Sequence, residues 1–239
     1  MRKLLYVFLI IFIAVALVLG IKVSKKDSML PTSKDYDYMT CEGTVDNPDE
    51  LPLLQKDNLS VTLLNVFTNT LREEDLKSLN LTEVEINNVM IQADNDNFIA
   101  LVKFESLDGT SVNELSCDFQ IYDIVDDTCN IYLSSITQVE KDLMRAFSRF
   151  LDINSGNTNY KFNRIGSSYK RFIIKQDTNY AIVLFSTQIP EENQDLANKS
   201  DLNVLIINPQ YQNDSGEKIV FKDTFFDLVL KRITKEPSI

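Results

Sequence analysis

The folds open to this chain are limited first by its beginning, "MRKLLYVFLIIFIAVALVLGIKVSKKD". Residues 4–21 run for eighteen positions without a charge, and only Tyr6 and Gly20 depart from strongly apolar character. As a helix rising 1.5 Å per residue, the run would measure about 27 Å, close to the ~30 Å hydrocarbon core of a bilayer. It is apolar on every side, so it lacks the single stripe by which a surface helix docks on a soluble core. Such a segment belongs in lipid or in a signal peptide, and the rest of the chain must fold without it.

Arg2 and Lys3 precede the run, and Lys22, Lys25 and Lys26 come after it, placed to reach lipid headgroups as membrane-flanking cations. A signal peptide would use the charged start, an apolar region over residues 4–13 and the small-x-small site Ala14-Val15-Ala16. The run continues through "LVLGI" past that site, where a cleaved leader turns polar. Residues 4–22 are therefore expected to stay as a single-pass anchor behind a short flank, residues 1–3. Cleavage after Ala16 would instead release a secreted protein. The two flanks carry similar charge, so orientation rests on the shortness of the N-terminal flank, which favours the bulk of the chain on the extracytoplasmic or virion-exterior side.

The remainder, more than two hundred residues, is long enough for a substantial core. The whole chain has 44% hydrophobic residues, 14 Phe and 9 Tyr, and most of these aromatics lie beyond the leader, which gives the remainder the apolar surface to fold. A net charge of −11 opposes general binding to nucleic acid, whose phosphates would repel it. Three cysteines leave one over if a disulfide forms: Cys117–Cys129 is one pairing, and a Cys41–Cys41 bridge between two copies is another.

The acidic segment "KDYDYMTCEGTVDNPDELP" has no base after Lys34 and no helical or strand period, so residues 23–57 read as a linker. The domain occupies residues 58–239. Leu59, Leu63, Val66, Phe67 and Leu71 stand at three-to-four spacing and predict an amphipathic helix. Thr70-x-x-Glu73 predicts a capped short helix over "EEDLKSL". "TEVEINNVMIQ" and "NFIALVKFES" flank "ADND" as two strands flank a turn. "CDFQIYDI" and "CNIYLSS" flank "VDDT", and "YKRFIIKQ" and "NYAIVLFST" flank "DT", in the same way. A helix capped by Thr137 and Glu140 would bury Val139, Leu143, Phe147 and Phe150. A polar helix is expected within residues 190–201, a buried strand at "LNVLIINP", and strand, helix or both in "KIVFKDTFFDLVLKRI". Helices and hairpins are segregated, which defines an α+β class with mainly antiparallel sheet. A helix followed by hairpins occurs twice, so two similar halves, 58–135 and 136–239, are an alternative to one domain.

The chemistry is bounded by the absence of histidine, which removes Ser-His-Asp and Cys-His catalysis and His-ligated metals from this chain. The glycine-rich phosphate loops are absent as well. Ser167-Ser168-Tyr169-Lys170 fits a Ser-x-x-Lys pair but runs into a strand, which would separate the two side chains. Asp94-Asn95-Asp96-Asn97 lacks the oxygen ligand and glycine that a calcium loop needs next. Glu83 and Glu85 read as a solvent face rather than a catalytic pair. No catalytic residue, metal or cofactor is expected.

One local contrast carries a binding expectation. Between Asp152 and Asp177 there is no acid, while Lys161, Arg164, Lys170, Arg171 and Lys175 supply five positive charges among Tyr160, Phe162, Tyr169 and Phe172. This segment is the expected surface for an acidic partner or anionic headgroup. The plainer alternative is a hairpin whose charges neutralise neighbours across the sheet. Two functional classes remain: a non-enzymatic, membrane-anchored assembly or adhesion protein that binds other membrane or surface proteins, and an exported His-independent hydrolase or small-ligand binder.

Overall fold

The computed structural model describes residues 37–44, 50–79, 81–136, 151, 160–166 and 168–232. The expected anchor with its flanking Arg2, Lys3, Lys22, Lys25 and Lys26, and the helix expected from Thr137, lie outside the described residues. Among the described residues no helix is long and apolar enough to cross a membrane.

Twelve described strands form two sheets. The larger has the order β1-β12-β10-β5-β6-β7, built from β1 (Asp37–Gly43), β12 (Thr224–Leu230), β10 (Leu202–Gln212), β5 (Asn113–Val125), β6 (Thr128–Ser134) and β7 (Lys161–Arg164), with β11 (Lys218–Val220) on the far end of β10. The smaller has the order β2-β3-β4-β9-β8, built from β2 (Leu53–Lys56), β3 (Leu59–Phe67), β4 (Phe98–Ser106), β9 (Tyr180–Thr187) and β8 (Tyr169–Gln176). Pairing is antiparallel except for β1 with β12 and β6 with β7. Short α1 (Glu73–Leu76) continues into a 3-10 turn (Lys77–Leu79), and α2 (Glu83–Gln92) and α3 (Glu191–Lys199) complete the described helices. The α+β class with mostly antiparallel sheet is therefore observed.

Three apolar clusters hold these layers. The largest lies between the sheets, where Leu59, Val61 and Leu63 of β3, Phe98 and Phe104 of β4 and Phe185 of β9 meet Phe119 of β5, Tyr132 of β6, Ile206 of β10 and Phe226 of β12. The second covers the other face of the smaller sheet with Leu76 of α1 and Ile86 and Val89 of α2, over Ile99, Leu101, Ile174 and Leu184. The third, on the outer face of the larger sheet, gathers Tyr122, Cys129, Ile131, Leu205, Ile207 and Phe225 with Ile136 and Leu151. Each sheet draws strands from both sides of residue 136, so the two halves do not have separate cores.

Two element assignments are corrected, both at the same place in the fold. Residues 59–67 form a strand, not a helix. Leu59, Val61 and Leu63 face the main core at period two, and a bulge between Leu63 and Asn65 then resets the phase so that Val66 faces inward. Leu64 and Phe67 pack on the opposite face, beneath the helices. A strand buried on both faces and interrupted by a bulge imitates helical spacing. Residues 83–92 form a helix, not a strand: Glu85, Ile86 and Val89 are buried, while Val84 and Ile91 are each 69% exposed. Thr82 caps this helix, accepting from the Glu85 N–H while its own N–H donates to Glu85 Oε2 at 2.5 Å. "ADND" is thus the turn from helix to β4, with Asn95 at positive φ. The short helix after Thr70 forms, but its cap is Arg72 with Asp75 rather than Thr70 with Glu73. The hairpins β5–β6 and β8–β9, the polar helix α3 and strand β10 stand where the sequence pattern placed them.

The residues read as a linker contain β1 and β2. β1 lies parallel to β12 in unbroken register from Asp37–Thr224 to Gly43–Leu230, a pairing across the length of the chain that no local pattern announces. Gly43 is required there, because a Cβ would strike the Glu50 carbonyl. The Cys117–Cys129 disulfide is also corrected: all three cysteines are free. Cys129 pairs with Ile124 across the hairpin, and Cys117 lies seven residues further along β5. At about 3.4 Å per residue that separation is far beyond the ~7 Å that a disulfide spans.

Candidate functional site

The five cations of the acid-free segment do not form one patch. Lys161 and Arg164 lie on β7 of the larger sheet, and Lys170, Arg171 and Lys175 on β8 of the smaller. The chain crosses between sheets at Gly166, where the backbone passes so close to the Tyr132 carbonyl that no side chain fits.

The β8 cations are engaged within the molecule. Lys170 Nζ lies 3.2 Å from Oδ2 of Asp96, which is 3% exposed and also accepts from Ser186 Oγ at 2.6 Å. Lys175 Nζ lies 2.8 Å from buried Glu85 on α2 and 5.2 Å from the Tyr180 ring centroid. Hydrogen bonding to Tyr180 raises the Lys175 pKa, and Glu85 adds to it. Arg171 points through the sandwich and donates from Nη2 to the Leu115 carbonyl of β5 at 2.5 Å. On β7, Arg164 donates to the Ile136 carbonyl at 2.7 Å, and Lys161 is exposed. The alternative reading, charges answered by neighbours within the fold, describes β8 well. The surface that remains is β7 itself. It pairs with β6 alone among the described strands, and it carries Phe162 at 41% exposure.

A second site was not visible in the sequence. A cleft of about 330 Å³ opens at the end of β3, lined by residues 65–72 with Asp75, Asn198 and Arg232, so that Val66, Phe67 and Leu71 share its wall with amide, hydroxyl and charged groups. Four parts of the chain build it. β3 ends at Phe67, and Leu71, 7% exposed, pins the loop into the cluster under the helices. Arg72 then caps α1, its guanidinium 3.1 Å from Asp75, and this pairing lowers the Asp75 pKa. The last turn of α3 brings Asn198 to Thr68, whose hydroxyl donates to Asn198 Oδ1. After β12, the Arg232 N–H donates to Asp201 Oδ1 at 2.8 Å and its Nη2 to the Val66 carbonyl at 3.0 Å. Arg232 Nε is buried without an acceptor, and burial holds the guanidinium below the usual arginine range, with Asp201 opposing that shift. Only the mix of amide, hydroxyl and guanidinium groups was available beforehand, and these are scattered through the sequence between Asn65 and Arg232.

Buried titratable groups elsewhere do not converge on open space. Asp227, on β12, accepts from Tyr38 at 2.8 Å and Tyr122 at 3.5 Å, and burial pushes its pKa up to about 6. Burial pushes the Cys117 and Cys129 thiols up to about 12, which leaves them poor nucleophiles. Among the described residues, no group of three or more Cys, Asp or Glu is placed to hold a metal ion.

The geometry of the described residues defines a class: a two-sheet α+β sandwich with α1 and α2 over one face, a cleft of mixed lining at the end of β3 and the edge strand β7. The chain matches no protein-family model, no curated protein and no solved structure.

Proposed function

We propose that this chain is a non-enzymatic, single-pass membrane-anchored protein whose extracytoplasmic domain binds other membrane or surface proteins. The apolar run of residues 4–21 supports the anchor. The observation that carries the binding role is β7, an edge strand among the described strands on which Lys161, Phe162, Asn163 and Arg164 are all exposed. An edge strand offers a row of backbone donors and acceptors to a partner strand, and adjacent apolar side chains supply the area that makes such pairing hold. Self-association through Cys41 belongs to the same reading, since β1 is the opposite edge of that sheet and Cys41 is only half-buried on it.

The experiment is crosslinking of the full-length protein in its native membrane, comparing wild type with Phe162→Pro and Phe162→Asp. The N–H groups of Lys161 and Ile165 donate toward β6, to the Asp127 and Ile131 carbonyls, so the alternating N–H of Phe162 faces outward; proline removes that donor, and Asp charges the exposed position. Loss of the crosslinked species in both variants, with unchanged circular dichroism, is expected. Undiminished crosslinking in both would overturn the edge-strand role. Full-length, unprocessed protein found in the detergent-free soluble fraction would overturn the anchor.

A further inference from the structure

We infer that the cleft at the end of β3 is a binding site for a small monocarboxylate that also carries hydroxyl or amide groups, such as a sugar acid or an N-acylated amino acid. The site does not depend on the anchor or on the edge strand β7.

Three observations carry it. The first is a cation without a counter-ion. Among the described residues, no carboxylate lies within ion-pairing distance of the Arg232 guanidinium: Asp201, its nearest acid in sequence, pairs with Lys231 Nζ at 3.2 Å and takes only the Arg232 backbone N–H. The Nε atoms of Arg232 and Arg171 are both buried without an acceptor, and of the two only Arg232 lines this cleft. Its Nη2 is tied to the Val66 carbonyl, which fixes the plane of the guanidinium within the cleft wall. The second is charge count. The other cation of the cleft, Arg72, is already matched by Asp75, so one positive charge is left for the ligand and Asp75 would repel a second negative one. A single carboxylate meets that balance better than a phosphate dianion. The third is the rest of the lining, in which polar groups stand beside Val66, Phe67 and Leu71. Asn65, Asn69, Thr70 and Asn198 offer donors and acceptors together, and the Asn69 and Thr70 side chains are exposed at the rim. Amides and hydroxyls in both roles suit a ligand that presents both. At about 330 Å³ the cleft falls within the range of small-molecule sites.

The test is isothermal titration of the purified full-length protein, in detergent, with glucuronate, N-acetylalanine, glucose and inorganic phosphate. Saturable binding of at least one carboxylate is expected, with glucose and phosphate at least tenfold weaker. Which carboxylate binds tighter distinguishes a sugar acid from an amino-acid ligand. Arg232→Gln should weaken binding at least tenfold. Because that change also touches the Val66 contact, the rim variant Asn69→Leu, remote from the core, provides a second reading. It should weaken binding severalfold at unchanged melting temperature. No saturable binding by either carboxylate overturns the inference, as does equal binding of phosphate or full affinity in both variants.

Discussion

Asp227 is the residue where burial and chemistry conflict most plainly. A carboxylate in an apolar cluster, with two tyrosine hydroxyls and no cation among its described neighbours, is held partly protonated near neutral pH. Its folded pKa of about 6 lies above the ordinary carboxylate value, so between the two the folded state binds a proton that the unfolded state has released. Stability is then complete below about pH 4 and falls as pH rises through about 6. Asp227→Asn should therefore raise stability at pH 7 by about 2–3 kcal/mol, with the advantage disappearing near pH 4. Urea denaturation across that range checks it, and an advantage that persists at pH 4 contradicts the assignment. Lys170 presents the converse case. Removing it leaves buried Asp96 with Ser186 and no cation, so Lys170→Gln should cost about 1–2 kcal/mol, moderated by the exposure of the lysine. Such a loss in thermal denaturation would show the basic segment working inside the fold; an unchanged melting temperature would return Lys170 to the surface.

At the level of elements, α2 and β3 show how patterns mislead. The stretch "TEVEINN" alternates apolar and polar residues as a strand would, yet Thr82-x-x-Glu85 is a capping box within it. That signal was legible and outweighs a short alternation, because a satisfied helix start fixes the chain direction where alternation only suggests it. Thr82→Ala should destabilise the fold by about 1 kcal/mol, measured by chemical denaturation. Unchanged stability would mean that tertiary packing alone holds α2. β3 is a harder case. Its bulge is set by pairing with β4, and nothing in residues 59–67 marks where the phase resets. At the candidate site, the acid-free run was plain in the sequence, but its division between two sheets at Gly166 was not. The cleft was invisible, since its lining depends on β12 ending beside the loop after β3.

For the whole molecule, the consequence is cooperativity. Each sheet takes strands from both residues 37–134 and residues 161–230, and the main core draws side chains from both stretches. Fragments 58–135 and 136–239 expressed separately should stay unfolded, and the intact domain should unfold in one transition that coincides in circular dichroism and tyrosine fluorescence. A folded isolated fragment, or two resolved transitions, would restore the two-unit reading.

Local chemistry, legible residue by residue, accounts for an apolar leader of bilayer length, hairpins where turn residues separate alternating runs, a folded acidic domain, and the closure of histidine chemistry. Packing in three dimensions was needed to establish which cations meet acids and how far apart the cysteines stand. It was needed equally to turn part of an acidic, turn-rich stretch into a strand and to set a lone arginine in a cleft. The reason is range. Turns and caps form between residues a few positions apart, whereas β1 meets β12 and Arg232 meets Val66 only after the intervening chain has packed.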